Sequence, residues 1–151
     1  MTDYKRPESV LVVVHTRGGE VLLLERKRPR GFWQSVTGSL EWGEDATAAA
    51  CREVLEETGL RAAGRLQDLR RTARFRIVPP WRARYAPSAR VNIEHWFRLE
   101  LPDRRLVRLR ASEHRQHRWL PAPVAASRAT SWTNRQAIRL IFALPGASER
   151  R

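Results

Sequence analysis

The stretch Gly38–Leu60, "GSLEWGEDATAAACREVLEETGL", decides the reading of this chain. It holds five glutamates and one arginine in a protein whose formal net charge is +13. From Asp45 to Thr58 it is rich in Ala, Glu and Leu. Asp45 is placed to cap a helix and Gly59 to end it in the left-handed C′ position, so a helix is predicted over 45–58. At about 100° per residue, Glu57 falls about 40° from Glu53 and Glu56 about 60° on the other side, so three carboxylates share one face. Ala46, Ala49 and Ala50 lie on that face and leave room above the helix. The opposite side, Thr47, Cys51, Val54, Leu55 and Thr58, is the stripe expected to pack on a sheet. Carboxylates at these spacings repel by about a few tenths of a kcal/mol per pair. A hard divalent cation offsets that repulsion, and Mg²⁺ shares its remaining positions with water and substrate phosphates. The plainer alternative is a solvated acidic face, but alanines stand where such a helix would more often place lysine. Arg52, at the edge of the acidic face, is expected to reach back to Glu44 and hold loop and helix in register.

Outward from this unit, "ESVLVVVHT" (Glu8 to Thr16) and "EVLLLER" (Glu20 to Arg26) read as a hairpin closed by "RGG". Both runs are apolar enough to imply a covered sheet. "PRGFWQSVTGS" crosses a loop into a short extended segment, and Arg65 to Val78 reads as one or two strands. Residues 79–90, with three prolines, are too long for a simple turn, and long ordered loops are often functional. "VNIEHWFRLEL" (Val91 to Leu101) sets Val91, Ile93, His95, Phe97 and Leu99 against Asn92, Glu94, Trp96 and Arg98, the period of a strand. "RRLVRLR" (Arg104 to Arg110) reads as a further strand. "SWTNRQAIRLIFAL" (Ser131 to Leu144) reads as a C-terminal helix capped by Ser or Thr, and 145–151 as a frayed tail.

The 151 residues, 42% hydrophobic, are expected to form one domain over 1–151. No apolar run approaches the roughly 18 residues of a membrane span, and "MTDYKRPES" lacks a signal peptide's apolar stretch, so a soluble cytoplasmic protein is expected. Cys51 is the only cysteine, expected to be buried and structural. Lys and Arg number 29 against 16 acids, a balance that attracts polyanions without choosing among them. The six tryptophans are expected mainly in the core, and His114 and His117 to be exposed.

Gly38, five residues, Glu44, seven residues, Arg52-Glu53-Val54, one residue, Glu56-Glu57, one residue and Gly59-Leu60 together resemble the Nudix box at every defined position. The resemblance implies an α/β (α+β) Nudix fold, a mixed β-sheet sandwiched between helices, with the box as a loop–helix–loop. It implies Mg²⁺, with Mn²⁺ as a substitute, held by Glu53, Glu56 and Glu57, while Arg52 and Glu44 brace the motif. It also implies a small substrate containing a diphosphate.

The flanks "YKRPESVLVVV", "FWQSVTGS", "RYAP", "NIEHWF", "SEHRQHRWL" and "SWTNRQAI" resemble, in order and spacing, the bacterial branch of the family that hydrolyses dihydroneopterin triphosphate in folate synthesis. That likeness implies Mg²⁺-dependent cleavage to the monophosphate and pyrophosphate. Position by position, it implies substrate contacts at Lys5, Arg26, Thr37, Ser131 and the segment Phe75, Arg76, Ile77, Val78. Arg76 departs from the pattern, being basic where that branch is acidic. Glu113 matches a further acidic metal ligand outside the box, and Glu56 and Glu113 are both candidates to take the proton of the attacking water. Two other readings are a general Nudix enzyme for nucleoside triphosphates or dinucleoside polyphosphates, and a non-catalytic nucleic-acid-binding protein. The complete glutamate set argues against the second. The expected partner is a small-molecule triphosphate, with no stable nucleic-acid partner and no membrane.

Overall fold

The computed structural model describes residues 3–79 and 81–147. Strands β1 (Glu8–Thr16) and β2 (Glu20–Arg26) form the hairpin read from the sequence. Apart from its first residue, β1 is buried on both faces, which is why its sequence is nearly continuously apolar rather than alternating. Short strands β3 (Trp33–Gln34) and β4 (Val36–Ser39) pair with β2 and β1 respectively. Strand β5 (Leu66–Arg76) pairs antiparallel with β6 (Val91–Leu101), and β6 runs parallel to β1. That one parallel pairing makes the sheet mixed. The sheet runs in the order β3-β2-β1-β6-β5, with β4 on β1 and β7 (His114–Pro121) on β2.

Helix α1 (Ala46–Thr58) covers one face, with Val10, Val12, Leu22, Leu24, Phe97 and Leu99 in the core beneath it. Helices α2 (Ala122–Arg128) and α3 (Trp132–Phe142) cover the other, over Leu11, Val13, Val21, Leu23 and Trp96. The expected helix–sheet–helix sandwich is therefore present. Asp45 Oδ1 accepts from Ala48 N at 2.8 Å, Gly59 has φ 78°, and Ser131 caps α3 by accepting from Asn134 N. No helix among the described residues is long and apolar enough to cross a membrane.

Several expectations change. The buried side of α1 is turned toward the alanines: Ala49, Ala50, Glu53 and Glu57 are buried together with Val54 and Thr58 of the expected stripe, while Thr47 and Leu55 face solvent. Small side chains let the helix approach closely, so two carboxylates enter the interior instead of projecting above it. Cys51 is half-buried beside Val54 on the flank of that contact. Residues 104–110 are not a strand. They run irregularly past α1, tethered by Arg108 N to Thr58 O at 2.8 Å, with Val107 and Leu109 laid on the core. In β6 the polar register, Asn92 and Glu94, is the buried one at the start of the strand, and Val91 is exposed. Strand β7 and helix α2 are elements that the sequence patterns above do not mark. Of the expected frayed tail, 148–151 lies outside the described residues, and Gly146 O accepts from Gln136 Nε2 at 3.2 Å.

Candidate active site

An open cleft of about 1270 Å³ lies where α1, the first half of β1, the outer end of β5 and the N-terminus of α3 meet. Lys5, Arg26, Thr37, Arg52, Glu53, Glu56, Glu57, Phe75, Arg76, Ile77, Val78, Glu113 and Ser131 all line it. Of the candidate site residues, Glu44 alone does not line the cleft and stands behind its wall.

Arg52 organises the acidic end. Its guanidinium forks onto Glu44, Nε to Oε2 at 2.9 Å and Nη2 to Oε1 at 2.8 Å, and Nη2 also donates to Ser39 O at 3.1 Å. These bonds tie β4, the preceding loop and α1 together, and they hold the Glu44 carboxyl below its usual range. Nη1 of Arg52 reaches Glu53 Oε2 at 3.0 Å and Glu56 Oε1 at 3.4 Å. Glu53 approaches the sheet directly over Gly38, where any side chain would collide with its carboxyl group. Glu57 hydrogen-bonds Glu53 and the backbone at Thr37, and its Oε1 has no partner. Burial raises the pKa of both carboxyls, that of Glu57 well above its ordinary value; Glu53 beside it pushes Glu57 further up, whereas the bond to Glu57 and the Arg52 charge pull Glu53 back down.

A buried carboxylate oxygen with no partner beside a second carboxylate suits an oxygen-seeking divalent cation. Glu56 and Glu113 sit at the rim, where Arg110 Nη1 bridges them at 3.2 and 3.4 Å. Among the described residues no three acidic, imidazole or thiol groups form a ready-made metal cluster. Glu53 and Glu57 are the adjoining pair, with Glu56 and Glu113 across Arg110.

The cationic wall comes from two loops. Arg6 Nη1 donates to Glu41 O at 3.0 Å and Glu44 O at 2.9 Å, clamping the N-terminal segment over the box. Lys5 is thereby placed over the cleft, bridged to Tyr85 and donating its N–H to Arg84 O at 2.9 Å. Burial, with Arg84 nearby, lowers the Lys5 pKa. Arg26 lies 5.9 Å over the Trp81 ring, and Trp81 meets Phe32 edge-on at 5.9 Å. The 79–90 loop thus supplies Trp81, Arg84 and Tyr85 to this side of the cleft.

His114 is buried rather than exposed. Its Nε2 accepts from Gln34 Nε2 at 3.2 Å, and burial brings its pKa down to about 4. The tryptophans divide: Trp33 and Trp96 are core, Trp81 lines the cleft, and Trp42 and Trp132 are exposed at its edge. Sequence reasoning missed Asn92, Glu94, Arg110, Phe32 and Asn134 as cleft residues. For Asn92 and Glu94 a signal existed, because polar residues alternating inside a strand that also carries Trp96 mark a covered polar face.

The loop–helix–loop, the mixed sheet between helices and the paired buried glutamates define a class: the chain belongs to the NUDIX family, whose NUDIX domain model matches residues 5–141. Among curated proteins it is similar to the dihydroneopterin triphosphate diphosphatase of Escherichia coli strain K12, 47% identical over 139 residues, spanning 89% of this chain and 91% of that protein. The enzyme of the same name from Haemophilus influenzae is 37% identical over 143 residues, spanning 92% of this chain and 89% of that protein. The solved structure of the E. coli dihydroneopterin triphosphate pyrophosphohydrolase superposes with a TM-score of 0.85 at 45% identity, covering 92% of this chain and 97% of that one.

Proposed function

We propose that this protein hydrolyses 7,8-dihydroneopterin triphosphate to the monophosphate and pyrophosphate, using Mg²⁺ or Mn²⁺, in the cytoplasm. One observation carries the reading: a single cleft joins the buried Glu53–Glu57 pair to Lys5 and Arg26 and to an aromatic wall of Phe32, Phe75 and Trp81. A triphosphate joined to a flat heterocycle needs these three environments in that combination. The relatives that share nearly the full length of the chain carry the same activity in their names.

Glu53 and Glu57 would hold the metal, with Glu56 and Glu113 completing its ligands. Bound there, it would neutralise phosphate charge and lower the pKa of a water. Lys5 and Arg26 bind the polyphosphate and orient it, as cations at a polyanion site do. The water's oxygen bonds to phosphorus, the anhydride P–O bond breaks with its electrons leaving on pyrophosphate, and Glu56 or Glu113 takes the water's proton. Arg52, fixed by Glu44, keeps Glu53 and Glu56 in place through the reaction.

The test is pyrophosphate release from dihydroneopterin triphosphate and from a panel of nucleoside triphosphates and dinucleoside polyphosphates, each with and without Mg²⁺. Metal-dependent preference for the pterin is expected. Better turnover of ATP or a dinucleoside tetraphosphate would replace the substrate assignment and leave the hydrolytic chemistry standing.

A further inference from the structure

The floor of the cleft is a face of the sheet, and its charge has no use in the chemistry described so far. On β6, Asn92 and Glu94 are two residues apart and therefore project to the same side. The register sets Asn92 opposite Phe75 and Glu94 opposite Ala73, with Ser9 of β1 alongside Glu94. All but Ala73 line the cleft. Asn92 is 3% exposed and Glu94 5% exposed.

Glu94 accepts from Trp96 Nε1 at 3.0 Å and from the Thr133 side chain, which ties β6 to the first turn of α3. No Lys, Arg or His among the described residues contributes to its electrostatics, and burial alone accounts for its raised pKa. An ionised carboxylate has about four acceptor positions, and these two bonds use about half of them. A side chain needed only to hold Trp96 and Thr133 would do so as a neutral amide, without the cost of burying an acid. Beside it, Asn92 Nδ2 donates to Ser9 Oγ at 2.8 Å and Asn92 Oδ1 has no partner. The cleft floor therefore presents unused acceptors, and among the described residues no cation meets Glu94.

We propose that Glu94, with Asn92 beside it, is the specificity-determining group of the cleft, accepting hydrogen bonds from the adjacent N–H donors of a 2-amino-4-oxopyrimidine ring. That edge, shared by pterins and guanine, carries a ring N–H next to an exocyclic amino group, and a carboxylate takes both in a forked pair. Adenine sets a ring nitrogen lone pair beside its amino group, which the carboxylate repels. Hypoxanthine keeps the ring N–H and lacks the amino group. Phe75 on β5, paired with Asn92, stands at the edge of the same floor, where an aromatic ring can pack on the heterocycle.

The inference rests on the pyrophosphohydrolase reading and deepens it. Its test compares kcat/KM for dihydroneopterin triphosphate, GTP, ITP and ATP in the wild type and in Glu94→Gln. GTP and ITP differ only in the amino group, so the wild type should favour GTP by about 10- to 100-fold, the range for hydrogen bonds to a charged group. In Glu94→Gln, whose amide can still hold Trp96 and Thr133, the GTP to ITP ratio should collapse to about one, mainly through KM. Mn²⁺ affinity measured by titration should not change, because Glu94 lies on the α3 side of the sheet and the acidic helix α1 packs on the other. Equal use of GTP and ITP by the wild type would overturn the proposal even if the variant does not fold. A variant that keeps the wild-type ratio would overturn it while the pterin activity stands, and wild-type preference for ATP over both pterin and GTP would overturn both readings.

Discussion

Replacing Gly38 with alanine should disable the site while leaving the fold in place. A Cβ at this position would lie 2.6 Å from Glu53 Oε1 and closer still to the rest of the carboxyl group, where ordinary contact begins at 3.4 Å. The gap must open by at least about 0.8 Å. Gly38 cannot retreat, because β4 is paired to β1 at Val10, and α1 cannot lift, because Ala49, Ala50 and Val54 are packed beneath it. The Glu53 carboxyl, the end of a flexible side chain, moves instead and leaves its contacts with Arg52 and Glu57. Displacing a reacting group by about 1 Å costs on the order of 100-fold in rate, or about 2.7 kcal/mol of transition-state stabilisation. Pyrophosphate release by Gly38→Ala should fall by that factor, with a similar loss of Mn²⁺ affinity, while circular dichroism and the urea midpoint stay near wild type. Activity within about threefold of wild type, with unchanged Mn²⁺ binding, would refute the claim that Gly38 is required for the position of Glu53.

Glu57→Gln removes a buried charge whose Oε1 has no partner, so turnover should fall by at least about 100-fold and the Mn²⁺-induced rise in melting temperature should vanish. Without metal its melting temperature should match or exceed that of wild type, and near-normal activity would take Glu57 out of the metal site. Arg52→Lys exchanges a forked guanidinium for a point charge and should lower stability by about 1–3 kcal/mol in urea melts; an unchanged midpoint would remove the bracing role. His15 is buried against Phe142, and its Nδ1 donates to Thr16 O at 3.0 Å while its Nε2 accepts from Arg98 Nε at 3.1 Å. Burial lowers its pKa, opposed by the bond to the Thr16 carbonyl, with Arg98 adding to the fall and Glu100 opposing it. The unfolded chain therefore binds this proton more readily than the folded one, and stability should fall as pH drops below about 6.5. His15→Gln should flatten that slope, and equal slopes for the two proteins between pH 7 and 5 would count against the assignment.

Local chemistry is what the sequence by itself determined. Asp45 and Gly59 bound α1 because a side-chain cap and a left-handed residue act within a turn of the chain. The hairpin, β6 and α3 were legible for the same reason: their patterns repeat over distances that one element spans. The box spacing also placed Glu53, Glu56, Glu57 and Arg52 together, since a helix converts spacing into direction.

What only the tertiary structure decided is which of those directions faces the interior. The wheel could not tell that the alanine side would meet the sheet, because small residues serve equally as open space and as close contact. Packing on β1 and β4 chose contact, and it left Glu57 buried without a full set of partners. Strand β7 and helix α2 escaped sequence reading because Arg and His interrupt the apolar period of the first, and the second is a seven-residue Ala-rich turn that follows Pro121. Glu94 and Asn92 were hidden in the same way. Their burial depends on β1 and β5 flanking β6 in the sheet and on α3 covering one face of it, which no pattern local to β6 could place there.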